Sequence, residues 1–146
     1  MGEQDLDRID VITKYANSFP SYNFEMDTDT KNSRNTMLIS EYGVIVRPPI
    51  SEEVALQLRK DGFRPFVPDM MDFRNKKIIE YQEEPTAAKS GGKLGKKGHD
   101  EFSDEDKDLF YQLAGFKQLK IWESDVNWME KVESFLSPYN HTVAIL

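Results

Sequence analysis

The feature that most constrains this chain is KKIIEYQ, residues 76–82, a short β-prone run bounded by charge on one side and by Pro85 beyond the other. Ile78, Ile79 and Tyr81 mark a buried strand, and a carboxylate, Glu80, sits in its middle. Successive strand side chains point to opposite faces, so Glu80 shares a face with Ile78 and Gln82 and opposes Ile79 and Tyr81. Upstream, PDMMDF (residues 68–73) reads as a second short strand, entered through Pro68, which cannot donate to a ladder. With RNKK as the turn, the two pair as a hairpin and bring Asp69 and Glu80 to the same end. Carboxylates converging there repel unless a cation lies between them. A hard dication such as magnesium favours oxygen ligands and keeps several waters, which suits two acids and a substrate phosphate.

The stretch after the hairpin sets the fold class. Ser103 reads as an N-cap with Asp106 three residues on, approximating a capping box. Asp106, Leu109, Phe110 and Leu113 then share one helical stripe, with Asp104 and Asp108 opposite. Gly115 ends the helix. Residues 117–122 alternate, with Gln118, Lys120 and Trp122 on one face and Leu119 and Ile121 on the other. A helix and strand after an antiparallel pair predict an α/β fold, bordering on α+β, with a mixed central sheet flanked by helices.

The remaining elements are simpler. Leu6, Ile9, Ile12 or Val11, Tyr15, Ala16 and Phe19 recur at helical spacing, and Pro20 stops that helix. Tyr22, Phe24 and Met26 alternate within a polar stretch, as a strand or an extended arm. MLISEYGVIV, residues 37–46, holds a strand centred on Val44 to Val46. After Pro48 and Pro49, Ser51 caps a helix with Glu52 and Glu53 in its first turn, Val54, Ala55 and Leu58 inward, and Gly62 at its end. FRPFVPD then makes an edge or irregular strand, because of its two prolines. Ser124 reads as the cap of a last helix with Val126, Met129, Val132 or Glu133, and Leu136 on its stripe; His141, in the apolar tail, reads as structural.

The chain has 146 residues, with 38% hydrophobic and 12% aromatic content, enough for one folded domain. Its expected parts are an N-terminal helix and polar arm over 1–35, a core over 36–146, and a flexible Lys/Gly loop over 85–99. No run approaches the roughly 18 apolar residues of a membrane helix, and the acidic N-terminus is unlike a signal peptide. The expectation is a soluble, intracellular, cytoplasmic protein with no membrane partner. There is no cysteine, which excludes disulfides and thiolate metal sites, and two histidines exclude a multi-histidine cluster. SGGKLGKKG, residues 90–98, lacks P-loop spacing, so nucleotide hydrolysis has no support.

Net charge is −7 and the pI about 4.9, unfavourable for a protein devoted to nonspecific nucleic-acid binding. The distribution matters more than the sum. Lys89, Lys93, Lys96 and Lys97 fall in a stretch without acids, and an acidic stretch containing Lys107 comes next. A basic loop beside an acidic patch is compatible with phosphate contacts flanking a metal site, and equally with a solvated loop beside a solvated helix start. His99, just after the lysines, has a pKa suited to acid–base work.

Pro68-Asp69, then Ile78-Ile79-Glu80-Tyr81-Gln82, then a helix ending Leu113-Ala114-Gly115-Phe116 and a strand Leu119-Lys120-Ile121-Trp122-Glu123, resemble the PD-(D/E)XK nuclease superfamily, and within it the branch related to very-short-patch repair endonucleases. The resemblance implies a restriction-endonuclease-like three-layer core and a magnesium- or manganese-dependent DNA endonuclease. It makes Asp69 and Glu80 the metal-binding acids and places Gln82 where lysine is usual, although some members are similar in carrying glutamine there. It sets His99 and Asp104 among the branch's polar residues, and likens Lys107-Asp108 to an Arg-Asp that precedes the helix-ending glycine. The sequence thus nominates Asp69, Glu80, Gln82 and His99 for catalysis, the first two for metal, and Lys89, Lys93, Lys96, Lys97 and Lys107 for nucleic acid. A neutral amide at Gln82 orients water but supplies no charge. A nuclease fold that has lost catalysis and serves as a binding module is the alternative, and an unrelated small α/β protein is the third reading.

Overall fold

The computed structural model describes residues 3–27, 34–83 and 104–137, with side chains of the first helix described from Asp7 onward. The lysine/glycine loop, His99, Ser103 and the tail with His141 lie outside the described residues.

The chain runs α1 (Glu3–Asn17), β1 (Glu25–Met26), β2 (Met37–Ile39), β3 (Ile45–Val46), α2 (Glu52–Lys60), β4 (Arg64–Phe66), β5 (Met70–Asp72), β6 (Lys77–Gln82), α3 (Asp104–Leu113), β7 (Lys117–Trp122) and α4 (Trp128–Leu136). Strands β1, β5, β6 and β7 form a mixed sheet in that order, and β3, β2 and β4 a small antiparallel one. β5 and β6 are antiparallel, with Met70 opposite Ile79 and Asp72 opposite Lys77. β6 and β7 are parallel, with Glu80 opposite Lys120, so the chain must cross over between them, and α3 lies on that crossover.

Alternation along the hairpin builds two cores. Met70 and Ile79 point to one face, where they join Ile9, Ile12 and Ala16 of α1, Ile121 of β7, and Val132 and Leu136 of α4. Met71 and Ile78 point to the other, against Tyr111 of α3, Ala114 and Phe116 just after it, and Met37, Ile39 and Phe66 of the small sheet. Two helices, a mixed sheet, and a layer of α3 with the small sheet thus make an arrangement on the border of α/β and α+β. Each fully buried Ile contributes about 1.5–3 kcal/mol. Among the described residues no helix is long and apolar enough to cross a membrane.

Several local expectations hold. Ser51 caps α2, its hydroxyl accepting from the Val54 N–H at 3.1 Å. Gly62 and Gly115 follow their helices with φ of 98° and 89°, the left-handed conformation glycine adopts freely. β4 pairs only with β2 and is an edge. Four details differ. The hairpin turn is Phe73 to Lys76 rather than RNKK, because the buried Asp72 fixes it: its carboxylate accepts from the Asn75 N–H at 3.0 Å and from the Asn75 amide at 2.8 Å. α4 starts after Asn127 instead of being capped by Ser124, and Val126 is exposed. Val54 of α2 is exposed, and no residue of that helix is buried. Leu109 and Leu113 of α3 are largely exposed, whereas Tyr111 and Ala114 are buried.

Candidate functional site

Asp69 immediately precedes β5, so the antiparallel register that sets Met70 against Ile79 sets Asp69 against Glu80. At this point side chains take over from the ladder. The Asp69 N–H donates to Glu80 Oε2 at 3.2 Å, and the Tyr81 N–H donates to Asp69 Oδ2 at 2.9 Å. Glu80 is 4% exposed while Asp69 is half-buried, so the pair has one side in the protein and one towards solvent.

α3 supplies the rest. Tyr111 donates its hydroxyl to Glu80 Oε1 at 3.2 Å, and Lys107, one helical turn earlier, places Nζ 4.0 Å from the same oxygen. Burial, then the charge of Asp69, push the Glu80 carboxyl up to about 8, while Lys107 pulls the other way; a hydrogen bond between the two acid side chains also raises it. Burial and Glu80 drive the Tyr111 phenol well above its ordinary value, so it remains a donor. On β7, Lys120 sits in register with Glu80, and its Nζ meets Asp108 Oδ2 at 3.1 Å, while Gln118 donates to Asp108 Oδ1 at 2.7 Å. The sheet-facing side of α3 is thus Lys107, Asp108 and Tyr111, not the stripe of Leu109 and Leu113.

Of the nominated residues, Asp69 and Glu80 are in contact, Lys107 is beside them, and Gln82 is half-buried two residues along the same strand. Asp104 and Asp106 are exposed at the start of α3. His99, Lys89, Lys93, Lys96 and Lys97 lie outside the described residues. Sequence reasoning did not single out Tyr111 or Lys120. Tyr111 follows Phe110 in an apolar run and reads as core; its one signal is that it lies four residues after Lys107.

The two carboxyls lie together at one end of the hairpin with Asp69 half-open to solvent, an oxygen donor pair of the kind a hard dication favours. Among the described residues no group of three or more His, Cys, Asp or Glu forms a cage. A cation here would complete its shell with water or phosphate oxygens, as magnesium does readily. Compared with protein-family models, with curated proteins and with solved structures, the chain finds no match in any of the three.

Proposed function

We propose that this protein is a metal-dependent DNA endonuclease that hydrolyses phosphodiester bonds at the Asp69–Glu80 pair. The observation that carries the reading is the contact itself: two carboxylates at the end of one hairpin, one buried and one open, with a lysine ammonium 4.0 Å away. Magnesium or manganese held by Asp69 and Glu80 would supply Lewis acidity and a water acidified for attack. The protein's own part is positional and electrostatic. Gln82, two residues beyond Glu80 on the same face, orients water through its amide. Lys107, its Nζ 4.0 Å from Glu80 Oε1, would supply the positive charge that Gln82 lacks. Tyr111 fixes the Glu80 carboxyl, and the ion pair of Lys120 with Asp108 fixes α3 against β7.

The test is supercoiled plasmid with magnesium or manganese, using the wild type, Asp69→Ala, Glu80→Ala and Lys107→Met. Nicking by the wild type, its loss in both acid variants, and a fall of about 10²-fold or more in the lysine variant are expected. Cleavage that survives both acid substitutions would remove the site assignment. One observation favours a second reading, a binding module without catalysis: the oxygens of both acids already accept backbone N–H groups and so act as caps on the hairpin ladder. In that case the wild type cleaves nothing.

A further inference from the structure

At the opposite end of the hairpin the turn gathers charge of the other sign. The Arg47 guanidinium carbon lies 4.2 Å from the centroid of Phe73, and Lys76 Nζ lies 3.8 Å from the same ring and 5.1 Å from Phe116. Arg47, Phe73 and Arg74 line a cleft of about 440 Å³ with Ser21, Asn23 and Asn75. The chain carries a net charge of −7, yet no described carboxylate forms an ion pair with Arg47, Arg74 or Lys76. The two acids on the cleft wall are engaged elsewhere. Asp72 accepts from the Asn23 N–H, the Asn75 N–H and the Asn75 amide, and Glu25 pairs with Arg34. Among the described residues Arg47 donates to a backbone carbonyl, that of Arg34. Burial, then the charge of Arg47, hold the Lys76 ammonium below its ordinary range, which a bound anion would relieve.

The backbone adds a separate observation. Lys76 has φ of 55°, the left-handed conformation that a turn ordinarily gives to Gly or Asn. A lysine is strained there, so its side chain, not its backbone, accounts for its presence. Position selects the ligand. Phe73 and Phe116 pack on the same core as Ile78 and Tyr111, which is the face of the sheet that carries Glu80. Lys76 is the turn residue just before β6, and from Lys77 at the start of that strand to Glu80 is three residues, about 10 Å at roughly 3.3 Å per residue. That span exceeds a single phosphate and suits a polymer carrying several.

We infer that Arg47 and Lys76, both against the Phe73 ring, with Arg74 on the cleft wall, form a phosphodiester-binding site that holds the nucleic-acid backbone beside the acid pair. The inference rests on the nuclease reading for its choice of ligand and deepens it. The experiment is fluorescence anisotropy of a labelled DNA duplex in EDTA across a salt series, with wild type, Arg47→Ala, Lys76→Gly, the double variant, and Lys60→Ala as a control on the exposed end of α2. The single variants at the cluster weaken binding about fivefold to tenfold each, and the double variant lowers the slope of log K against log salt by about 2, one counterion per lost phosphate contact. Lys60→Ala changes neither. Glycine takes the left-handed conformation without strain, so Lys76→Gly should keep a Tm no lower than that of the wild type, which excludes misfolding as the cause of weaker binding. Equal affinity and slope in wild type and double variant would overturn the site, as would a wild type that does not bind duplex at low salt. Inorganic phosphate that displaces the duplex only at concentrations where its ionic strength alone suffices supports a polymer ligand. Inorganic phosphate that binds at the cluster while duplex does not would overturn it. Plasmid cleavage reports separately on the acid pair: cluster-dependent binding without cleavage leaves this site standing and removes the catalytic reading.

Discussion

Glu80 is the residue on which the physical chemistry concentrates. It faces the Asp69 carboxyl and N–H from the β5 side, Lys107 and Tyr111 from α3, and Lys120 in register on β7. In the unfolded chain its carboxyl titrates near 4.5, and in the folded one burial and Asp69 hold the proton up to about 8. A raised pKa means the folded state binds more protons between those values. The stabilisation is therefore fully present below about 4.5 and is lost as pH rises through about 8. Without metal, urea unfolding should show stability falling by a few kcal/mol between pH 5.5 and 8.5. Glu80→Gln keeps an acceptor for Asp69 and cannot ionise, so its profile should be flat by comparison and it should exceed the wild type by about 1–3 kcal/mol at the upper end. Identical profiles would contradict the assigned titration. Lys76→Gly belongs to the same scale: relief of the left-handed strain should add about 1 kcal/mol.

At the scale of elements, the contact between the β2–β3 turn and the end of α3 sets where that helix lies. Gly43, with φ of 82°, approaches so closely that a Cβ there would lie 2.2 Å from the Leu113 carbonyl oxygen. Gly43→Ala meets both a backbone clash and an unfavourable φ, and should cost about 2–4 kcal/mol, read as a Tm lower by about 5–10 °C. Because α3 carries Lys107 and Tyr111, the same substitution should reduce any cleavage more than the stability loss alone explains. A variant with wild-type Tm would show that this contact does not hold the helix in place. The helix itself shows where sequence reading fails. Leu109 and Leu113 carry the apolar signal, yet they are exposed, because Phe110 and Tyr111 supply the apolar contact and the turn before them meets a polar part of the sheet. Lys107, Asp108 and Tyr111 face Glu80, Lys120 and Gln118 there, and a rule that sends apolar residues inward assigns the wrong side. The hairpin was legible for the opposite reason: alternation and a short polar turn determine the pairing of β5 with β6, and with it the meeting of Asp69 and Glu80.

Across the whole molecule, the layers followed from local patterns, since alternating strands and a periodic first helix leave few ways to bury Ile12, Ile79 and Ile121 together. The cluster of Arg47, Phe73 and Lys76 was not legible, because it joins a strand end of one sheet to the hairpin turn of the other and no local spacing encodes that approach. The hairpin thus has acids at one end and cations at the other, both on the face covered by α3. The proposed chemistry depends above all on the acid pair taking a divalent cation. Isothermal titration of magnesium and of manganese into wild type, Asp69→Asn and Glu80→Gln, all checked for folding by near-UV circular dichroism, tests that dependence most directly. One site in the wild type that is lost in both variants is the predicted result; binding that persists in both variants, or a wild type that binds neither metal, would contradict it.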